Sequence, residues 1–342
     1  MPPAAPAEVS PDALEQYRRE LTGYCYRMLG SGFEADVAVQ ETMLRAWRAA
    51  EGFEGRSSLR SWLYRIATNI CLDMLRGRQR RAMPMDLGPA SPPVEPLLSD
   101  WHPDELWMSP IADDRVLPEH GDPADIAVAR DTIRLAVVTA LQHLPARQRA
   151  TLILCEVLRI PAAEAAATLG TTVPAVNSAL QRARATLAAL PEEQRPVTVE
   201  AEQADLLARY VDAFQRYDID QLVALLHQDA VMSMPPISMW LRGAQTIGQW
   251  LGLPGPSQCR GSILVPAGYV NGVRSWAQYK PDPDGGYSAW ALLVHEASGG
   301  RFTRWTFFLE TERLFPEVGL AAHLPALFFA EPWTFCGRGG DD

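Results

Sequence analysis

The stretch DTIRLAVVTALQHLPARQRATLILCEVLRIPAAEAAATLGTTVPAVNSALQRARATLAAL, residues 131–190, reads as four helices in a row. The last two make a helix-turn-helix. The first of that pair runs from about Pro161 to Leu169, with Ala166, Ala167 and Leu169 as a small inward face. Gly170-Thr171-Thr172 is the turn. Thr172 has the side chain to cap the next helix, and Pro174 fits its first turn because a proline's missing N–H has no helical partner there. Val173, Val176, Leu180, Ala183 and Leu187 then recur at spacings of three and four, one apolar stripe. The other face carries Asn177, Ser178, Gln181, Arg182 and Arg184. Amides and guanidinium groups pair with base edges and phosphates in the major groove. The same arginines also suit the solvated face of a small helical domain, so this stretch alone leaves both readings open.

Residues 10–82 bear on the choice. Leu59, Trp62, Leu63, Ile66, Ile70 and Met74 line one helix face, a core stripe. Trp62 reads as a packed anchor of that core and not as a base-stacking platform. Arg60, Arg65, Asn69, Arg76, Arg78, Arg80 and Arg81 fall mostly off the stripe, toward solvent or phosphate. A run such as RGRQRR is commonly a solvated tail. In a chain this acidic, a local arginine cluster beside aromatic residues is better explained by a nucleic-acid track.

Longer motifs carry a resemblance. Asp36-x-x-x-Gln40-Glu41-Thr42, Leu44-x-x-Trp47, Phe53 and Leu59-x-x-Trp62-Leu63-x-x-Ile66-Ala67-x-Asn69 together resemble region two of an extracytoplasmic-function (ECF) bacterial RNA polymerase sigma factor. Leu144-Pro145-x-x-Gln148-Arg149 and the helix-turn-helix after it resemble region four. The two matches keep the family's order and span residues 10–82 and 131–190, a little over a third of the chain. The resemblance implies partners and roles. The chain would bind core RNA polymerase and promoter DNA. Asp36, Gln40, Glu41, Leu44 and Trp47 would lie on the helix that docks the polymerase. Phe53, Arg56, Ser57, Arg65, Asn69 and Arg76 would meet the −10 element, where a base leaves the stack. Extrusion costs about a few kcal/mol, which new contacts must offset. Thr172, Pro174, Asn177, Ser178, Gln181 and Arg182 would read the −35 element. Ala175 and Ala179 are small where relatives often carry larger or basic side chains, so the bases read do not follow from the resemblance.

Charge is segmented. Residues 1–82 hold 12 Arg against 10 Asp and Glu, and residues 131–190 hold 6 against 3. Residues 83–130 hold 2 against 10, and residues 191–342 hold 11 Lys and Arg against 18. The net charge of −10 makes a poor free DNA binder, because binding depends on phosphate neutralisation. Delivery to DNA by a larger machine removes that objection. Arg outnumbers Lys 30 to 1, which reads as genomic base composition.

At 342 residues, two or three domains are expected. No apolar run is long enough to span a membrane, and the N-terminus lacks the pattern of a signal peptide. Five scattered Cys without a CxxC pair suggest reduced thiols in a cytosolic compartment and no metal site. The acidic, Pro-rich segment 83–130 reads as an extended linker with no core of its own. The resemblance implies that such a linker threads the polymerase's RNA exit path, where an acidic segment would mimic nucleic acid; a passive acidic tether is the other reading. Both readings stand.

Residues 198–335 read as a separate α+β cone. An amphipathic helix covers Val199 to Tyr217, with Ala204, Leu207, Tyr210, Val211 and Phe214 inward. A shorter one follows over Ile219 to His227, and a third over Ala244 to Leu251. Strands are expected at Ala230–Met234, Ser262–Pro266, Ser275–Lys280, Ser288–His295 and Arg301–Leu309, with hairpin turns at Asp284-Gly285-Gly286 and Ser298-Gly299-Gly300. The sheet is expected to be curved and antiparallel. The order resembles the SnoaL-like, nuclear-transport-factor-two-like superfamily, and a subset of ECF factors carries such a domain. His227, Trp240, Trp276 and Trp290 are candidate pocket residues. Asp229, His227 and His295 make no convincing acid–base pair, so no catalytic residue and no cofactor is expected. A small ligand or an anti-sigma factor at this domain is the further partner expected.

The fold class is therefore multidomain: two all-α modules followed by an α+β SnoaL-like cone. A SnoaL-like enzyme or ligand sensor fused to a DNA-binding module is the competing reading. It leaves residues 36–76 without a use.

Overall fold

The computed structural model describes residues 9–326 except 54, 56, 95–100, 121, 192–203 and 258. Helices α1 (Pro11–Glu15), α2 (Arg18–Leu29), α3 (Gly32–Arg48) and α4 (Leu59–Met74) form the first bundle. Local chemistry sets their ends. The Ser31 hydroxyl caps α3 by accepting from the Glu34 N–H at 3.3 Å, and Ser58 caps α4 by accepting from Ser61 at 3.1 Å. Gly30, at φ 71°, ends α2 in the left-handed region. Tyr24 and Tyr64 meet edge to face in the core, with ring centroids 5.1 Å apart. Leu59, Trp62, Leu63 and Ile70 are buried, while Ile66 and Met74 are half-buried.

The second bundle holds α5 (Pro123–Thr132), α6 (Leu135–Gln142), α7 (Ala146–Leu152), a π turn (Ile153–Val157), α8 (Ala162–Thr168) and α9 (Val173–Ala188). Gly170 turns the chain between α8 and α9 at φ 60°. Val176 and Ala183 are buried, with Leu180 and Leu187 half-buried. Two expected inward residues face solvent. Val173 sits at the first position of α9, ahead of the turns that α7 and α8 cover, and Ala167 points away from α9. Ala165, Ala166 and Thr168 fill that face instead.

Two buried arginines tie the bundles together. Arg149 donates to the carbonyls of Met28, Gln142 and Leu144. Arg27 donates to Gly23 O at 2.7 Å and to Thr132 Oγ1 at 2.6 Å. Burial lowers both pKa values to about 10, so both stay charged at neutral pH and depend on those acceptors.

The segment after α4 has no core of its own, yet it is not a loose tether. Met83, Trp107, Met108, Ile111, Val116 and Leu117 are buried against their neighbours. Its path doubles back: Ala82 bonds to Leu106 O at 2.8 Å, and Met108 bonds to Ala82 O at 3.1 Å. Composition counted its acidic residues and prolines. Burial was decided by the few apolar side chains between them.

In the C-terminal domain, α10 (Ala204–Gln215), α11 (Ile219–Ala224), α12 (Ala244–Leu251) and α13 (Pro254–Ser257) pack on a sheet, followed by α14 (Thr311–Glu317). Residues 199–203 of the expected first helix lie outside the described residues. In α10, Leu206, Tyr210, Ala213 and Phe214 are buried, Leu207 and Val211 are half-buried, and Ala204 is exposed. The strands are β1 (Leu226–Ser233), β2 (Trp240–Arg242), β3 (Ile263–Val270), β4 (Val273–Pro281), β5 (Tyr287–Ser298), β6 (Arg301–Phe308) and β7 (His323–Leu324). Their order is β2-β1-β6-β5-β4-β3, with β7 on β5. The sheet is mixed, not purely antiparallel, because β1 runs parallel to β6. The chain leaves β1 through β2 and α12 and returns through β3, β4 and β5, so β1 and β6 are joined by a crossover and not by a hairpin.

His295 lies at the centre of this domain, 3% exposed, 2.9 Å from the Tyr210 hydroxyl and stacked on Trp305. Desolvation lowers its pKa from 6.5 to about 3. The folded state stays neutral there, while the unfolded state takes up a proton below pH 6.5. Stability from this group is therefore full above pH 6.5 and falls as pH drops toward 3. The expected loss is about 1.4 kcal/mol per pH unit below 6.5. Urea unfolding at pH 7 and pH 5.5 measures it. His295→Phe is expected to flatten that slope, and an unchanged slope would contradict the assignment.

Candidate nucleic-acid and partner interfaces

Helix α3 presents an apolar face to solvent. Trp47 is 58% exposed, Val37 57% and Leu44 37%. Gln40 lies between them and Glu41 at the edge, with Arg45 bonded to Glu41 at 2.6 Å. At 100° per residue all five fall within one side of the helix. Val37 escaped the motif but not the spacing: it stands three residues before Gln40 and seven before Leu44. Asp36 differs from the other candidates. Its carboxylate pairs with Arg115 of the middle segment, which also pairs with Glu317 of α14.

Helix α4 carries the second candidate surface. Ser57, Arg65, Asn69 and Arg76 are exposed. Arg65 and Asn69 share a face one turn apart, while Arg76 lies past the helix end and pairs with Asp73 at 3.2 Å. Phe53 packs on Trp62, with ring centroids 4.9 Å apart. Trp62 is an anchor, as expected. Arg56 lies outside the described residues. The arginines of the RGRQRR run are not all free: Arg78 and Arg81 both pair with Glu34, and Arg81 is buried.

A cavity of about 300 Å³ opens beside α4, lined by Ser57, Ser58, Ser61, Trp62 and Arg65. Its far wall is Glu164, Ala167 and Thr168 of α8. The Ser61 hydroxyl donates to the Glu164 carboxylate. An acid thus stands where a phosphate would approach Arg65. Glu164 carries no motif, and only the packing of α8 on α4 brings it there.

On α9, Asn177, Gln181 and Arg182 are exposed together and Ser178 is half-buried. Arg182 donates to Ser178 Oγ at 2.6 Å. Thr172 spends its hydroxyl as the helix cap, accepting from Ala175 at 3.4 Å, and Pro174 fills the first turn. Arg184 is held aside by Glu156 at 2.7 Å.

One residue joins all parts of the chain. Asn271 sits at the β3–β4 turn at φ 51°, 1% exposed. Its Nδ2 donates to the Tyr26 hydroxyl at 2.6 Å and to Ile133 O at 2.7 Å, and its Oδ1 accepts from the Ile111 N–H at 3.0 Å. Next to it, the Gly272 N–H donates to Asp113 at 2.7 Å. Asn-Gly is the strongest two-residue hairpin signal, since both positions take positive φ. That dipeptide in the sequence was the available clue to the turn.

The pocket candidates scatter. Trp290 lines a cavity within the cone. His227 is exposed at the start of β1. Trp276 is buried against Tyr210, and the Trp240 indole donates to Gly88 O at 2.9 Å, sealing the middle segment to the edge strand β2. Trp276 shares the apolar cluster that walls the Trp290 cavity, whereas Trp240 belongs to the cluster on the other side of the sheet.

Sigma-70 region 2 matches residues 13–81, and Sigma-70, region 4 matches residues 134–187. The ECF RNA polymerase sigma factor SigG of Mycobacterium tuberculosis (strain ATCC 25618 / H37Rv) is 44% identical over 312 residues, covering 90% of this chain and 82% of that protein. The chain belongs to the ECF RNA polymerase sigma factors. The probable ECF factor SigI of the same strain is 26% identical over 216 residues, covering 63% of this chain and 66% of SigI. The crystal structure of the M. tuberculosis ECF factor SigJ superposes with a TM-score of 0.57 at 22% identity, covering 91% of this chain and all of that one. The sigma factor therefore has helical region-two and region-four modules, followed by a C-terminal domain of helices on a mixed sheet. It binds core RNA polymerase and directs promoter-specific transcription initiation. Its family is not an enzyme family. Among the described residues, no helix is long and apolar enough to cross a membrane.

Arg182→Ala in this sigma factor is expected to weaken binding to a −35 duplex by about 1–3 kcal/mol if the guanidinium pairs with a guanine, and by less if it meets only phosphate. A salt series separates the cases, because a phosphate contact alters the slope of affinity against salt. Unchanged affinity would remove Arg182 from the reading face.

Proposed function

We propose that the sigma factor docks polymerase through Gln40, Glu41, Leu44, Trp47 and the added Val37. Asp36 acts there only once it is released from Arg115. The −10 element meets Ser57, Arg65 and Asn69, with Phe53 as support and Arg56 and Arg76 as flanking cations. The −35 element meets Asn177, Ser178, Gln181 and Arg182 on a helix that Thr172 and Pro174 start. The modules are residues 10–82, 131–190 and 198–335, with 83–130 as a packed strap. The arrangement described is a closed state that the C-terminal domain holds.

The contact of α8 with the α4 cavity carries this reading. The −10 and −35 elements lie about 25 base pairs apart, roughly 85 Å at about 3.4 Å per base pair. Modules in mutual contact cannot reach both, so promoter binding requires them to part. The hydrogen bonds of Asn271 and the Arg115 ion pairs oppose that parting. A small ligand or an anti-sigma partner would act by binding one state better than the other. Transcription from a mapped promoter by the full chain carrying Asn271→Gly tests closure. Output per molecule is expected to rise, and unchanged output would overturn it.

A further inference from the structure

The cone of the C-terminal domain holds a cavity of about 250 Å³. Phe214 of α10, Trp250 of α12, Met232 of β1 and Phe307 of β6 make an apolar wall. That volume suits a molecule of about two fused rings, just below the roughly 300–1,000 Å³ of drug-sized pockets. Lys280 and Trp290 stand together at the half-buried side, the Lys280 Nζ 3.2 Å from the Trp290 ring centroid. The Cys259 thiol lines the same cavity as that amine. Among the described residues, no Asp or Glu lines the cavity.

Lys280 is the single lysine of the chain, among 31 basic side chains. Arginine serves everywhere else, on surfaces and in buried ties. A lysine differs from it as a compact point charge on a flexible stem, with no planar fork to satisfy. Here burial lowers its pKa, with the Cys259 thiol acting in the opposite sense, and among the described lining residues no carboxylate faces this partly desolvated cation. Beside an apolar wall, an opposite charge gains far more than it would in water. Gln278 does not supply one: it is buried, neutral, and donates to Ser262 Oγ at 3.1 Å.

We propose that this cavity binds a small aromatic or otherwise apolar organic acid, its rings against Trp250 and Met232 and its acidic oxygen on Lys280. The site goes beyond the closure reading and stands whether or not the domain regulates the sigma modules.

Calorimetric titration of the full chain with 2-naphthoate, and with 2-naphthamide as its neutral isostere, tests it. The acid is expected to bind at least about tenfold tighter than the amide, the effect of one charge-assisted contact. Lys280→Met is expected to bring the acid down to the level of the amide and leave the amide unchanged. No binding of the acid at millimolar concentration, equal affinity for both probes, or a preference for the acid that survives Lys280→Met would each overturn the proposal. A readout on the unaltered protein guards against a misfolded variant. Lys280 carries the only side-chain amine, so its acetylation is read as one peptide by mass spectrometry. Saturating 2-naphthoate is expected to slow that acetylation about tenfold, and an unchanged rate overturns the site.

Discussion

The full chain carrying Leu44→Ala and Trp47→Ala is expected to fail to co-purify with core RNA polymerase while melting at the temperature of the unaltered protein. Both side chains are exposed in the free protein, Trp47 at 58%, so their removal leaves no cavity in the fold. Surface substitutions of that kind change stability by about 0.5 kcal/mol or less. At an interface the balance differs. A tryptophan anchor is worth about 2–4 kcal/mol, and the neighbouring leucine adds about 1 kcal/mol. Together they weaken binding by roughly 100-fold or more, since each 1.4 kcal/mol is tenfold. Glu41→Lys, at the edge of the same face, is expected to act mainly on the association rate and its salt dependence. Wild-type recovery of polymerase with the double variant would move the docking face elsewhere on the molecule.

Asn271→Gly is expected to open the molecule. Glycine accepts the φ of 51° without strain, so the variant removes three side-chain hydrogen bonds and keeps the turn. The Ile133 carbonyl and the Ile111 N–H lose their Asn271 partner in a buried place, while the Tyr26 hydroxyl loses one donor and keeps its own bond to Ser109 O at 3.1 Å. Each such loss costs about 1 kcal/mol net, or up to about 3 kcal/mol where the group stays dry. A total of about 2–4 kcal/mol shifts the open-to-closed ratio by roughly 30- to 1,000-fold. The radius of gyration in solution is expected to rise, and transcription with it. Asn271→Ala adds the strain of a β-carbon at positive φ and is expected to go further. A compact variant with unaltered transcription would place the hold on closure at other contacts.

Much of this molecule was legible in its sequence, for a physical reason. Helix stripes, caps at Thr172 and Ser58, and glycine turns are set by neighbours within a few residues. The exposed face of α9 was named from spacing, whereas that of α3 was named from the family resemblance. The α+β character of the C-terminal domain and its strands were legible too, apart from the short β2 and β7. What escaped depends on pairs far apart in the chain. Ser61 meets Glu164 across 103 residues, and Tyr26 meets Asn271 across 245. No local pattern encodes such a pair, because either residue satisfies its own helix or turn equally well without the other. The parallel pairing of β1 with β6 is of this kind, as are the burial of apolar side chains in the acidic middle segment, the pairing of Asp36 with Arg115 and the bond of the Trp240 indole to Gly88 O. The amino-acid sequence by itself determined the elements, their exposed faces and the family. Tertiary structure alone decided which faces are covered, because covering is a property of two surfaces and the sequence writes each of them separately.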